Sequence, residues 1–184
     1  MEIIKTEIQD LLVIKPKVFT DERGYFFETY RKELFEKAGL NYNFVQDNES
    51  KSSYGVIRGL HYQLAPYSQA KLVRVVQGKV LDVAVDLREG SPTFGKWHAV
   101  ELSGENKLQF LIPRGFAHGF AVLSETAIFA YKCDNIYNKE AERGLNYNCN
   151  KLAIDWQIPI EKAIVSAKDK VLPGFDDAEM NFVF

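Results

Sequence analysis

The chain is poor in cysteine, and the two it has are not placed for chemistry. Cys133 and Cys149 are the only ones in 184 residues, and they form neither a C-x-x-C pair nor a metal-ligand spacing. A disulfide-stapled scaffold and a zinc ribbon are thereby excluded, and free thiols in a reducing compartment are expected. No apolar run approaches the roughly 20 residues that cross a bilayer as a helix, so no membrane partner is expected. The opening Met-Glu-Ile-Ile-Lys-Thr lacks a basic stretch leading into an apolar one, so no signal peptide is expected and the chain is placed in the cytoplasm. Excess charge of one sign is also missing. Lys and Arg number 23 against 25 Asp and Glu, a formal −2, which argues against a nucleic-acid partner. A local Arg/Lys cluster can still hold an anion, because net charge does not describe one cleft. No repeat, linker or low-complexity stretch interrupts the sequence.

Aromatics, by contrast, are plentiful: 13 Phe and 9 Tyr suit strands and ligand-stacking walls. The length predicts one domain over residues 1–184. Leu81, Val83, Val85 and Leu87 share one face while Asp82, Ala84 and Asp86 face the other way. That period of two is a strand. Leu72–Gln77, Lys96–Leu102, Leu108–Ile112, Phe116–Leu123 and Ala127–Lys132 read the same way. Gly-, Pro- and Asn-bearing turns such as Glu89-Gly-Ser-Pro92 and Pro113-Arg-Gly115 separate them. Many short strands with regular turns predict a sandwich, jelly roll or barrel, with its core over about residues 25–135. One helix is predicted at Arg31–Ala38, ended by Gly39. The segment from about 155 to 184 is irregular and is predicted to carry a short helix or lid near the mouth.

The spacing around His61 narrows the fold. Cupins carry G-x5-H-x-H, then E-x6-G, and later P-x-G-x-x-H. Here five residues separate Gly55 from His61, Gln63 replaces the second His, six residues separate Lys71 from Gly78, and Pro113-Arg-Gly-Phe-Ala-His118 gives the second motif. The scaffold resembles a cupin-like jelly roll, a double-stranded β-barrel. The ligand chemistry is altered, however. An ammonium has donors only and cannot coordinate a cation, so His61, His118, a Gln and a Lys⁺ make a poor zinc, iron or manganese site. No metal is expected. An imidazole matched to neutral pH, a cation and nearby phenols point instead to proton abstraction next to a carbonyl.

The chain resembles the dTDP-4-dehydrorhamnose 3,5-epimerase family from about residue 3 to residue 172. The resemblance is carried by Asp21-Glu-Arg-Gly-Tyr-Phe-Phe-Glu28, Gln46-Asp-Asn48, Gly55-Val-Ile-Arg-Gly-Leu-His-Tyr-Gln63 and Lys71-Leu-Val-Arg-Val-Val-Gln-Gly78. It continues in Asp82-Val-Ala-Val-Asp-Leu-Arg88, Pro113-Arg-Gly-Phe-Ala-His-Gly-Phe120, Tyr131-Lys132 and Ser166-Ala-Lys-Asp169. The resemblance implies a homodimeric jelly roll that uses no metal or organic cofactor and inverts C3 and C5 of dTDP-4-dehydro-6-deoxy-D-glucose. It implies His61 as the base, Asp169 as its support, Tyr131 as the acid on the opposite face and Lys71 as the enolate stabiliser. Arg58 and His118 would shape the sugar site. Arg23, Phe26, Glu28, Gln46, Asn48, Glu142 and Lys168 would bind the nucleotide-sugar, Tyr137 would stack on the thymine, and the Arg23 segment would reach the partner's site. Family members often carry a Trp and an acidic residue after Glu142. Leu145-Asn-Tyr-Asn-Cys149 puts Tyr147 at the aromatic place and leaves the acidic one open.

Other readings stand beside this one. Related enzymes invert only C3 or only C5, a 3,4-ketoisomerase moves the carbonyl, and a metal-dependent or non-catalytic cupin does neither. Taken singly, Asp169 is a helix-cap carboxylate, Tyr137 and Phe26 are core aromatics, Arg23 and Glu142 are solvated charges, and His98 is a surface strand residue. Lys71 differs. A lysine between Ala70 and Leu72 in an apolar strand points into a polar cavity.

Overall fold

The structure, a computed structural model, describes residues 1–184. Strands β1 (Glu2–Lys5) and β2 (Leu12–Lys15) are followed by a small hairpin of β3 (Phe19–Asp21) and β4 (Gly24–Phe26). Helix α1 (Lys32–Lys37) precedes β5 (Gln46–Ser53) and β6 (Val56–Gln63). Then come β7 (Lys71–Gln77), β8 (Lys79–Asp86), β9 (Trp97–Ser103) and β10 (Gln109–Ile112). β11 (Phe116–Val122), β12 (Thr126–Cys133), β13 (Glu142–Gly144), β14 (Ile164–Val165) and the short helix α2 (Ala167–Lys170) complete the chain.

Two six-stranded sheets face each other. The first runs β1-β2-β10-β7-β12-β5, the second β13-β6-β11-β8-β9 with β14 added parallel to β6. The architecture is a jelly roll, mainly β with few short helices. Its hydrogen bonding runs within each sheet, so it is an open two-sheet form rather than the closed double-stranded barrel expected. The sheets also reach beyond the expected span of 25–135. β1 and β2 extend the first sheet, and β13 and β14 join the second. A four-residue strand such as Leu12–Lys15 is too short for its period to register in the sequence.

Three apolar layers hold the sheets. Between them pack Val73, Val75, Val80, Phe110, Phe120 and Phe129. Behind the second sheet, Leu81, Val83 and Val85 meet Leu145, Leu152, Trp156, Phe175 and Phe182 from the irregular C-terminal segment. That segment is fixed where Trp97 Nε1 donates to Leu152 O and Trp156 Nε1 to Tyr147 O. Behind the first sheet, Phe35 of α1 covers Ile14, Leu72 and Leu111. With both faces covered, β8 and β11 are buried along nearly their whole length.

β5 went unseen in the sequence because Gln-Asp-Asn-Glu-Ser-Lys-Ser-Ser is entirely polar. It is an edge strand paired to β12 over eight residues. Gln46, Asn48 and Ser50 face a wet cavity, and the charges of Asp47, Glu49 and Lys51 on the outer face blunt the free edge.

β6 carries the irregularity that matters most. His118 pairs with His61 and Phe120 with Arg58, so Gly59 and Leu60 together oppose Gly119 alone. This β-bulge brings Arg58 and His61, three residues apart, onto one face. Only glycine serves at position 59: φ is +117°, and a Cβ there would lie 2.6 Å from Gly119 Cα and 2.7 Å from the His118 carbonyl oxygen. Gly59→Ala is therefore expected to cost about 3 kcal/mol or more, read as a lower urea midpoint at unchanged slope. An unaltered midpoint would show that the bulge tolerates a side chain.

Candidate active site

The site is built from both sheets. β6 supplies Arg58 and His61 from one wall, while β7 and β12 supply Lys71 and Tyr131 from the other. Two lobes of about 460 and 310 Å³ share His61, Lys71 and Tyr131. The larger also contains Arg58, His118, Phe120 and Phe129, the smaller Gln46, Asn48, Tyr137 and Glu142.

His61 Nε2 lies 2.7 Å from Asp169 Oδ1. The other oxygen of Asp169 accepts the Gly59 N–H at 3.3 Å, so the bulge that aims His61 also supplies a donor to its carboxylate. Ser166 Oγ caps α2 by accepting the Asp169 N–H at 3.0 Å. The cap is thus Ser166, and Asp169 is free to face inward with 5% of its side chain exposed. Burial works to raise the Asp169 carboxyl, but the hydrogen bond and charge of His61 and the N–H donors outweigh it and hold it below the usual carboxylate value. A carboxylate accepting from Nε2–H leaves the lone pair on Nδ1. A third of the His61 side chain is open to the cavity.

Across the cavity, burial pushes the Tyr131 phenol up, so it keeps its proton. Burial pushes the Lys71 ammonium down, against the charges around it. Cys133, opposite Lys71 in the β7–β12 register, is raised by burial to about 11 and stays a thiol.

The remaining predicted residues divide into two groups. His118 Nε2 contacts both oxygens of Asp82, at 2.9 and 3.0 Å. Arg58 Nε donates to Ser52 Oγ at 3.0 Å. At the mouth, Lys168 pairs with Glu142 at 2.5 Å, and the Tyr137 hydroxyl donates to the same carboxylate at 2.9 Å. Burial acts to raise Glu142, but these two donors hold it below its ordinary value. Gln46 Oε1 accepts the Tyr137 N–H at 2.9 Å, and Gln46 Nε2 donates to Asn48 Oδ1 at 3.1 Å. Tyr137 is 53% exposed rather than a core aromatic. Arg23, Phe26 and Glu28, however, are not brought to this cavity. Arg23 pairs with Asp21 at 2.6 Å, Glu28 with Arg31 at 3.5 Å, and Phe26 is 67% exposed on the β3–β4 hairpin. Gln63, at the place of a cupin ligand, is spent on backbone: its amide donates to Tyr67 O and Ile136 O and accepts from Asn138 N–H. His98 lies on β9 as expected and bonds Glu7 at 2.8 Å.

Sequence reading missed Asp82 and the role of Gly59. For Asp82 a signal existed: a carboxylate in the middle of a strand that is otherwise apolar around it demands a buried partner. For Gly59 there was none, since register is a property of two strands.

An imidazole–carboxylate pair on one wall faces a phenol and an ammonium on the other, the groups that acid–base chemistry uses. The relatives of the chain agree. The family model for dTDP-4-dehydrorhamnose 3,5-epimerase matches residues 5–177. The dTDP-4-dehydrorhamnose 3,5-epimerase of Shigella flexneri is 55% identical over 180 residues, 97% of this chain and 98% of that one. The crystal structure of the enzyme of that name from Elizabethkingia anophelis superposes with a TM-score of 0.92 at 59% identity, covering 96% and 97% of the two chains. A dTDP-6-deoxy-D-glucose-3,5-epimerase from Legionella pneumophila, solved with dTDP-4-keto-L-rhamnose, gives 0.92 at 51% identity over 96% and 93%. The chain belongs to the dTDP-4-dehydrorhamnose 3,5-epimerase family and is an isomerase.

The Asp169 environment has a consequence for stability. The carboxyl is lower in the folded chain than the roughly 3.9 of an unfolded one. Its contribution is complete above that value and is lost as pH falls through the depressed folded value. Urea unfolding of the wild type and Asp169→Asn should show a stability gap at pH 7 that narrows below about pH 4. A gap constant down to pH 2 would contradict the pairing.

Proposed function

We propose that the chain converts dTDP-4-dehydro-6-deoxy-D-glucose into dTDP-4-dehydro-L-rhamnose by inverting C3 and C5, a step of dTDP-L-rhamnose synthesis in the cytoplasm, and that residues 1–184 work as one epimerase domain. The observation that carries this is the His61–Asp169 pair set across one cavity from Tyr131 and Lys71. The C4 ketone acidifies the protons on both neighbouring carbons. His61 Nδ1 takes one of them, and the imidazolium formed is stabilised by Asp169. The electrons move onto O4, where the Lys71 ammonium meets the enolate. Tyr131 then protonates the carbon from the opposite face, which inverts it. The reaction only moves protons, so oxidant and reductant are both unnecessary. The larger lobe, with Arg58 and His118, suits the sugar. The smaller, with Tyr137, Gln46, Asn48 and Glu142, suits the thymidine end, and Lys168 between them suits an anionic pyrophosphate.

His61→Asn should lower kcat by about 10²- to 10⁴-fold while dTDP binds as before. Unchanged turnover would remove His61 as the base and favour a non-catalytic sugar-binding role. Tyr131→Phe separates the two half-steps. In D₂O it should still exchange protons at the target carbons while inversion falls sharply. In the wild type, deuterium is expected at both C3 and C5. Exchange at one carbon alone identifies a single-centre epimerase, and a product with a shifted carbonyl identifies a ketoisomerase.

A homodimer completes this reading. Phe19 and Tyr25, like Phe26, are more than half exposed on a hairpin that pairs with no other strand. Arg23 at its tip, 85% exposed, is free to enter a partner's nucleotide lobe. Sedimentation should give a dimer that Phe26→Asp weakens, and Arg23→Ala should raise KM more than it lowers kcat. A monomeric wild type, or an Arg23 variant with unchanged KM, would oppose this arrangement.

A further inference from the structure

Tyr137 stands on a loop that packing does not hold. Residues 135–138 join β12 to a single 3-10 turn at Lys139–Ala141, and none of them belongs to an apolar layer. Ile136 and Tyr137 are 60% and 53% exposed. The main chain does not hold the loop either, because the N–H groups of Ile136, Tyr137 and Asn138 meet no backbone carbonyl. Three glutamine side chains take that place. Gln69 Nε2 donates to Asn135 O at 2.7 Å, and Gln46 Oε1 accepts the Tyr137 N–H at 2.9 Å. Gln63 holds two points at once. Its Nε2 donates to Ile136 O at 3.2 Å and its Oε1 accepts the Asn138 N–H at 2.7 Å, so it brackets Tyr137 from both sides. The same Nε2 donates to Tyr67 O at 2.6 Å, in the segment that carries Gln69.

Gln63 is also the buried member of the three, and its amide N–H groups and carbonyl oxygen are all engaged. It lies two residues from His61 on β6, on the same face, and both line the smaller lobe. We propose that Gln63 is a positioning residue for the nucleotide end: it fixes Tyr137 in its stacking place before the ligand arrives and ties that wall to the strand that carries His61. An aromatic on a free loop must be ordered when the ligand binds, and that ordering costs affinity. A ring held in advance avoids the cost, and its anchorage on β6 keeps the nucleotide end in step with the reacting end. This rests on the reading of Tyr137 as the stacking surface for the thymine.

The experiment is a double-mutant cycle on dTDP affinity. Calorimetry compares the wild type, Gln63→Leu, Tyr137→Ala and the double variant, and steady-state kinetics on the dTDP-4-keto sugar gives KM and kcat. Leucine fills much of the same space and removes every hydrogen bond of the amide. Gln63→Leu is expected to weaken dTDP roughly tenfold and to raise KM with it, while most of kcat is kept. On the Tyr137→Ala background the same substitution is expected to add almost nothing, because the ring it positions is gone. Unchanged dTDP affinity in Gln63→Leu overturns the proposal. So does a loss that repeats in full on the Tyr137→Ala background, or a kcat that falls as far as the affinity. A Tyr137→Ala variant that binds dTDP as tightly as the wild type strikes the stacking reading itself, and that failure shows in the single variant. Should Gln63→Leu not fold, Gln63→Glu decides. Its carboxyl keeps an acceptor for the Asn138 N–H, can donate to a carbonyl while protonated, and loses that donor on ionising. Its dTDP affinity relative to the wild type should therefore fall as pH rises between about 5 and about 9, the range to which burial lifts such a group. A flat ratio across that range overturns the proposal.

Discussion

Two adjacent residues of β6 opposite one of β11 decide where the chemistry can happen. Without that bulge, Arg58 and His61 would fall on opposite faces of the second sheet, because their separation is odd. With it, both enter the cavity, while Ile57, Leu60 and Tyr62 stay in the apolar layer behind the sheet. The same irregularity leaves the Gly59 N–H free for Asp169, whose carboxylate reaches His61 two residues further on. One backbone distortion therefore sets the direction of His61, its tautomer and the docking of α2. Position 59 is fixed as glycine by the closeness of the Gly119 backbone as much as by its own φ.

The interior between the sheets has two characters. One part is apolar core, with Val75, Phe110 and Phe129 packed together. The other holds groups that burial would rather neutralise. Burial raises Tyr131 and Cys133 and lowers Lys71 and His118. In the proposed reaction the phenol must hold its proton and the lysine its charge, so burial favours the first and opposes the second. Carboxylates resolve such conflicts, and each one near the cavity has an assigned partner: Asp169 with His61, Glu142 with Lys168 and Tyr137, Asp82 with His118. Gln63, where a cupin would place a ligand, instead ties the loop that carries Tyr137. A position that holds a metal ligand in a cupin is here spent on anchoring a loop.

Much of the fold was legible where one strand's own pattern was sufficient. The period-two run around Val83 gave β8 and both of its faces. Helix α1 lies within one residue at each end of the predicted Arg31–Ala38. The polar β5 was not legible, since a strand lining a wet cavity carries no apolar period. That His61 and Lys71 share one cavity was legible through their motifs, because a lysine in an apolar strand and a histidine at cupin spacing have few uses. Arg23, Phe26 and Glu28 were named by resemblance alone, and within one chain they lie apart from the cavity.

The sequence by itself determined the residue types, the β character and the replacement of two cupin ligand positions by Gln63 and Lys71. Only the tertiary structure decided which side chains meet. Asp169 lies 108 residues from His61, and Asp82 lies 36 from His118. No local pattern encodes those pairings, because they arise from strand register, a bulge and a capped turn, each fixed by packing between distant segments. The importance of His61 was readable from its neighbours in the chain and its partner Asp169 only through the family resemblance, while its direction was not readable at all.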